Sequence, residues 1–205
     1  GTGDWGTDEN HHGTHVAGTI AAVNNGYGVV GVAPNQRLNL FIVKVFGADG
    51  WAYSSTLTHA LNQCQLGKVA NTKLVVSMSL GGSIKSRTEE TAFANAYSAG
   101  VLSIAAAGND GNSRVSYPAG YASVVSVAAV DSNNTVAAFS QYNSDVEIAA
   151  PGVGVLSTVP VGTGSSTSFS VDGTPYTAEA MDGSPKGMVE RATLVDCGIG
   201  DATCS

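Results

Sequence analysis

Histidine is concentrated in one short segment of the chain. Three of its four histidines, His11, His12 and His15, lie among small residues between positions 10 and 19. Imidazole serves proteins as a general base and as a metal ligand, so the cluster indicates one of these two chemistries. His11 and His15 have the spacing of two zinc ligands on one helix face. The segment lacks the intervening glutamate of a metalloprotease helix, which favours the general base.

Two apolar runs end in small or polar residues at points where a site would form. Residues 74–80 lead into Gly81-Gly82, and residues 101–106 lead into Gly108-Asn109. Ligands and catalytic groups gather at the carboxyl ends of parallel strands, so both ends are candidates for a site. Taken alone, the Gly-Asn-Asp-Gly sequence around Asn109 favours an ordinary turn.

Read together, these segments resemble the motifs of subtilisin-like serine proteases, the subtilases. The sequence His-Gly-Thr-His-Val-Ala-Gly-Thr over 12–19 resembles the histidine motif of that family. Residues 76–82 resemble its substrate-binding strand, 105–110 its oxyanion segment, 116–119 its pocket segment and 149–152 a further marker. The resemblance extends over about residues 10–160. It implies an α/β fold of three layers with a mostly parallel sheet, truncated here at both ends.

The resemblance also implies a role for individual residues. His12 would be the general base that takes a proton from a serine, and Asn109 would donate its amide to the developing oxyanion. An extended peptide would pair with the binding strand, with large apolar residues preferred before the cut. The implied substrate-binding residues are Ser79, Leu80, Gly81, Gly82, Ala106, Gly108, Tyr117, Pro118 and Ala119.

A calcium site is implied by the loop that follows the histidine segment. Residues 23–29 resemble the calcium loop of the family, followed by Gly-Val-Ala-Pro. The Asn25 side chain and the carbonyls of Val23, Tyr27 and Val29 would supply oxygen, the ligand type that Ca²⁺ prefers. The alternative is an ordinary loop at the end of a helix.

Two members of the Asp-His-Ser triad are absent from the pattern. Asp4 and Asp8 lie in loop only a few residues before His12, and no Gly-Thr-Ser-Met-Ala motif follows. In Gly173-Thr174-Pro175 and Gly183-Ser184-Pro185, proline stands where a helix must begin with the nucleophile. Residues 171–205 instead resemble the beginning of a protease-associated domain. We therefore expect a partial catalytic domain over 1–160, a linker and insertion over 161–205, and no peptide hydrolysis by this chain alone.

Two other functions remain open. A non-catalytic relative would keep the peptide-binding cleft without the complete triad, although His12 and Asn109 themselves are retained. A cysteine hydrolase would use Cys64 with His12, but Cys64 lies within a predicted amphipathic helix that has no strained turn to expose it.

The predicted elements alternate between helices and strands, as expected for a parallel sheet between helices. We expect helices over 12–23, from a cap at Ser54 or Ser55 to about 69, and over 88–99. Leu57, Ala60, Leu61 and Cys64 should share one face of the second helix. We expect strands over 38–45, buried on both faces, and over 74–80, 101–106, 124–130 and 146–149.

Composition narrows the class of protein further. The 205 residues are 43% hydrophobic and 12% charged, with a net charge of −7 and nine Lys and Arg. That balance opposes a nucleic-acid surface, and no apolar run approaches the roughly 20 residues that span a bilayer. The spacing of Cys197 and Cys204 permits a disulfide, which leaves Cys64 unpaired. We expect a secreted, extracellular monomer that acts on proteins and peptides.

Overall fold

The computed structural model describes residues 6–26, 28–34, 38–50, 52–163, 166–171 and 174–179. The chain forms two compact units, residues 1–164 and residues 165–205. The assignment of a catalytic domain to 1–160 and of an insertion to 161–205 stays a prediction. No helix among the described residues has the length and hydropathy to cross a membrane.

The first unit is built on a sheet of four parallel strands. In order across the sheet they are β1 (Leu74–Met78), β2 (Val101–Ala106), β3 (Val124–Val130) and β4 (Ile148–Pro151). Sequence order and spatial order coincide, and helix α3 (Arg87–Ser98) lies between β1 and β2 in the chain. The predicted α/β fold with a parallel sheet is confirmed. The last strand lies two residues later than the pattern indicates.

One face of the sheet carries the core. Along β2, Val101, Ser103 and Ala105 are buried, whereas the alternating Leu102 is exposed. The buried face packs against α2 (Ser54–Leu66) and α3, whose Leu61 and Phe93 are almost fully enclosed. Period-two alternation therefore selects the residues that meet the helices.

The helices begin and end for identifiable reasons. Helix α3 is capped by Ser86, whose Oγ accepts the Glu89 N–H at 3.4 Å, and ends before Gly100, which has a φ of +82°. Helix α1 covers His12–Ala21. The predicted cap of α2 is wrong: Tyr53 occupies the N-cap position without a side-chain hydrogen bond. Ser54 lies already inside the helix.

The strand predicted over 38–45 is wrong. The described residues of this segment form no strand, and Leu40, Phe41 and Ile42 are 44, 54 and 60% exposed. A strand exists only through pairing with a neighbour, and among the described residues β1 pairs with β2 alone. An apolar run predicts the tendency to form a strand but not the partner. Phe41 instead packs its ring against Gly67 at the end of α2.

The second unit is described through one antiparallel hairpin. Strand β5 (Ser166–Val171) pairs with β6 (Thr174–Glu179), with Phe169 opposite Tyr176. The sequence predicts a linker over 161–170, and its second half, residues 166–170, is instead part of a strand. Thr174 and Pro175 lie in β6, so no helix with a serine nucleophile begins there. The predicted Cys197–Cys204 bridge lies outside the described residues.

Candidate active site

His12 is the first residue of α1 and its side chain is exposed. The preceding His11 has a left-handed backbone with a φ of 60° and makes no side-chain cap. Asp8 provides the cap instead, because its carboxylate accepts the Thr14 N–H at 2.8 Å and the Thr14 hydroxyl at 2.6 Å. Burial raises the pKa of Asp8, but these hydrogen bonds and the nearby His11 and His12 outweigh it and lower the pKa. An ionised carboxylate therefore holds the turn that carries His12.

Helix α1 is attached to the segment that follows β4. His15 Nε2 lies 3.1 Å from the Val155 carbonyl oxygen, and Ser157 Oγ donates to the His15 carbonyl at 2.6 Å. Thr158 Oγ1 donates to the Thr14 carbonyl at 2.8 Å. A Cβ at Gly18 would come within 2.2 Å of Thr158 Oγ1, so glycine allows the close approach. These bonds connect the helix of His12 to the sheet and give His15 a structural role.

Asn109 lies in a loop, residues 107–112, that follows β2. The Ala107 N–H donates to the Val127 carbonyl at 2.9 Å before Asn109, and the Gly111 N–H donates to Phe139 at 2.7 Å after it. Asn109 itself is exposed at the turn. Because the loop is held on both sides by main-chain hydrogen bonds, the Asn109 backbone is fixed at the carboxyl end of the sheet.

The binding strand and the pocket segment meet in one antiparallel bridge. The Gly82 N–H donates to the Tyr117 carbonyl at 2.9 Å, and the Tyr117 backbone N–H donates to the Gly82 carbonyl at 2.8 Å. A Cβ at Gly82 would meet open space, whereas one at Gly81 would lie 2.7 Å from Ser116 Oγ. The space beside the Cα is thus open at Gly82 and filled by Ser116 at Gly81, and both main-chain groups of Gly82 are used by Tyr117.

The segment 116–119 forms the pocket wall, and its Pro118 and Ala119 are buried behind the surface of that wall. The Tyr117–Pro118 peptide is cis. Leu80, Ala106 and Gly108 are half-buried, and Ser79 is exposed. Among the described residues, no hydrogen bond joins His12 to any of these predicted site residues.

A buried network behind the pocket wall was not predicted. The Ser86 N–H donates to the Tyr121 hydroxyl at 3.1 Å, and this hydroxyl donates to the Ser86 carbonyl at 3.2 Å. Glu89 is 4% exposed, and burial raises its pKa against the hydrogen bonds with Ser54 and Tyr121. The spacing of Ser86 and Glu89 is that of a capping box, in which the Glu89 carboxylate would accept the Ser86 N–H. Tyr121 takes the Ser86 N–H instead.

The predicted calcium loop follows α1 and is closed by the Gly31 N–H, which donates to the Ala22 carbonyl at 2.9 Å. Val23 and Asn25 are exposed, and Tyr27 lies outside the described residues. Amide and carbonyl oxygens are the donor type that suits Ca²⁺. The part of the chain that the structure describes has no group of three His, Cys, Asp or Glu that could hold a metal.

Cys64 lies on α2 and packs partly buried against the core. Burial raises the pKa of its thiol, so the nucleophilic thiolate is disfavoured. This environment opposes the cysteine hydrolase.

Comparison with known proteins adds to this geometry. A family model described as "Subtilase family" matches residues 1–181. The chain is 47% identical over 173 residues to subtilisin BL of Lederbergia lenta, covering 84% of this chain and 62% of the relative. It is 49% identical over 154 residues to alkaline elastase YaB of Bacillus sp. (strain YaB), covering 75% and 39%.

A solved structure is also similar. The psychrophilic subtilisin-like protease Apa1 from the Antarctic psychrotroph Pseudoalteromonas sp. AS-11 has a TM-score of 0.75 and 55% identity. The match covers 86% of this chain and 40% of that one. The chain thus spans less than two thirds of the length of each of these relatives.

Proposed function

Because the chain belongs to the subtilase family, we propose that it is the central part of a serine endopeptidase that hydrolyses peptide bonds in proteins. The pairing of Met78 with Ala105 carries this proposal. It brings the ends of β1 and β2 side by side, so that the binding segment and the Asn109 loop leave the same edge of the sheet. A scissile bond lying along the first would be within reach of the second.

The proposed reaction divides its steps among the residues of that edge. The substrate pairs as an extended strand with residues 79–81, because the main-chain N–H and carbonyl of Gly82 already pair with Tyr117. A serine, supplied with the triad aspartate by other parts of a longer protein, attacks the scissile carbonyl carbon. Its proton passes to His12 and then to the leaving amine nitrogen, while Asn109 donates an amide N–H to the oxyanion.

The pocket that binds the substrate residue before the scissile bond is lined by apolar surface and so suits an apolar side chain. Leu80 and Ala106 offer apolar surface, and Tyr117 is paired with Gly82. Large apolar residues before the scissile bond are therefore preferred. A peptide library cut mainly after Lys or Arg would contradict this preference.

A structural Ca²⁺ ion fits the loop after α1. The Asn25 amide oxygen and the carbonyls of Val23, Tyr27 and Val29 would hold it. Because these ligands come together only in the folded loop, binding of the ion would stabilise the folded protein. Chelation with EDTA should lower the thermal midpoint of the complete protein. Asn25→Ala should reduce that shift and the neighbouring Asn24→Ala should not; equal shifts in both would exclude Asn25.

The proposal includes secretion to the exterior, a monomeric state and a protease-associated insertion that begins within 161–205. No nucleic-acid or membrane partner is part of it. Secretion agrees with the acidic composition and the scarcity of Lys and Arg. The insertion depends on the resemblance over residues 171–205 alone.

The direct test uses the complete protein that contains this chain. It should hydrolyse casein and lose this activity with phenylmethylsulfonyl fluoride but not with iodoacetamide, because the nucleophile is a serine. The 205-residue chain, freed of contaminating protease, should hydrolyse nothing. Peptide binding by the complete protein without turnover would instead support the non-catalytic relative.

A further inference from the structure

A buried glutamine lies directly behind the loop that carries Asn109. Gln141 is 3% exposed, although its side chain is polar and uncharged. Its backbone N–H donates to the Gly108 carbonyl at 3.0 Å, one residue before Asn109. A buried amide keeps its place only when its polar atoms are paired, so its partners show what it holds.

The side chain of Gln141 is pressed against Gly108. That glycine has a φ of +117°, which side-chain-bearing residues rarely adopt. A Cβ built there would lie 1.7 Å from Gln141 Oε1. The glutamine amide therefore fills the space on the side of Gly108 where any other residue would carry its side chain.

The other end of the same amide holds the exit of the loop. Gln141 Nε2 donates to the Arg114 carbonyl at 2.5 Å. The Arg114 N–H in turn donates to Asn112 Oδ1 at 2.9 Å. One side chain thus contacts the chain at Gly108 and binds it at Arg114, on either side of Asn109.

Gln141 is itself fixed to the sheet. The Ser140 hydroxyl donates to the Gln141 carbonyl at 3.1 Å and accepts the Ala129 N–H of β3 at 2.9 Å. Ser140 is fully buried. The path from β3 through Ser140 to Gln141 and the loop is therefore continuous and enclosed.

We propose that Gln141 is a positioning residue that holds the loop 108–114 so that Asn109 meets the oxyanion. The inference rests on the proposed function, since it needs an oxyanion to form. A catalytic donor must be held within about 0.5 Å of its productive position. Because the oxyanion is absent from the bound substrate and develops on the way to the tetrahedral intermediate, loosening the loop lowers kcat and leaves KM nearly unchanged.

The experiment compares Gln141→Met with Asn143→Ala in the complete protein. Methionine keeps the length and most of the packing but loses the Nε2 donor, and Gln141→Ala is a second variant should methionine overpack. Asn143 is the matched control, because its Nδ2 also donates to the Arg114 carbonyl, at 3.0 Å, without facing Gly108. We expect Gln141→Met to lower kcat about tenfold, a part of the roughly 10²–10³ that a donor contributes. Asn143→Ala should stay within about twofold.

A double-mutant cycle separates positioning from a general structural role. In an Asn109→Ala background, Gln141→Met should lower kcat no further, because the donor that it positions is gone. An equal loss in both backgrounds, or an unchanged kcat in the single variant of a folded protein, would overturn the proposal.

Hydrogen exchange at the Gly111 amide tests whether Gln141 holds the loop 108–114 in place, an interaction that we call the clamp. This measurement needs no enzymatic activity. Gln141→Met should speed this exchange and Asn143→Ala should not, whether or not the protein hydrolyses peptides. Unchanged exchange in Gln141→Met overturns the clamp. A complete protein that shows faster exchange but no hydrolysis would keep the clamp and contradict the proposed function alone.

Discussion

The two halves of the proposed site are held in different ways. Asn109 lies in a half, residues 74–152, where four paired strands and main-chain hydrogen bonds fix the loop on both sides. His12 lies in a half, residues 6–50, whose described residues contain one helix and no strand. Main-chain bonds from residues 31–33 hold the last turn of its helix, whereas side chains hold the rest, with Asp8 at the first turn and Ser157 and Thr158 along its length.

Because of this difference, we expect the two halves to tolerate different substitutions. Main-chain pairing survives most substitutions, because every residue except proline supplies the same N–H and carbonyl. Each side-chain attachment, by contrast, is lost when its one hydroxyl or carboxylate is replaced. The apolar surface of the 38–45 segment, exposed at Leu40, Phe41 and Ile42, adds little burial to compensate. We therefore expect the His12 half to open first and the Asn109 half to fail only through its tightest contact.

The largest effect is expected from Gly108→Ala, which attacks that tightest contact. A positive φ costs about 1–3 kcal/mol, and overpacking against Gln141 costs about 1–3 kcal/mol more. The thermal midpoint of the complete protein should fall by about 5–15 °C, and kcat should fall with it. Gly154→Ala is the control, because Gly154 also has a positive φ but open space around its Cβ position. Equal midpoints would show that the contact with Gln141 costs nothing.

A smaller effect is expected from Thr158→Val, which removes one attachment of the His12 half. The lost hydrogen bond to the Thr14 carbonyl should cost about 1 kcal/mol. Amide exchange should accelerate in α1 and remain unchanged in β2. In Thr163→Val, where the lost bond to Pro160 is local, α1 should exchange as in the wild type. Acceleration in β2 would show that the two halves open together.

A pH-dependent effect is expected from Glu89→Gln in the Asn109 half. Burial raises the pKa of Glu89 in the folded protein, so its neutral form favours folding. That contribution is complete below the unfolded pKa and is lost as pH rises through the folded pKa. Glutamine stays neutral, so the variant should melt higher than the wild type at pH 8, with a smaller difference at pH 4. A variant less stable at pH 8 would show that the charged carboxylate is the form that the network needs.

The smallest effect is expected from Glu9→Gln in the His12 half. Lys44 Nζ lies 2.7 Å from Glu9 Oε2. The hydrogen bonds from Lys44 and Thr7 lower the pKa of Glu9 to about 2. Stability from this carboxylate is present above its unfolded pKa and is lost as pH falls through about 2. The pair is partly exposed, so a small loss of thermal midpoint at pH 7 should vanish in about 1 M salt. A loss that persists in salt would reveal a contact other than the ion pair.

The sequence predicts well the elements that local signals mark. Strands 101–106 and 124–130 match the structure, because alternation and the flanking turns are local signals. The segment 38–45 fails, because a strand requires a neighbour that an apolar run does not specify. Tyr121, from another part of the chain, accepts the Ser86 N–H that the Glu89 carboxylate of a capping box would accept.

Within the proposed site, the motifs mark the candidate residues and miss those that pack behind them. Gln141 touches Gly108 across the fold, and no local pattern marks a glutamine as a clamp. Gly81 and Gly82 look alike in sequence, yet one accommodates Ser116 and the other opens to solvent. Such distinctions depend on which side of the backbone a neighbour occupies.

The most direct test of the account is the kcat of His12→Ala and Asn109→Ala in the complete protein with one peptide substrate. Both variants should lower kcat by at least about 10²-fold, the lower end of what a general base or an oxyanion donor contributes, with KM nearly unchanged. If either variant keeps the wild-type kcat, the two halves do not form one active site.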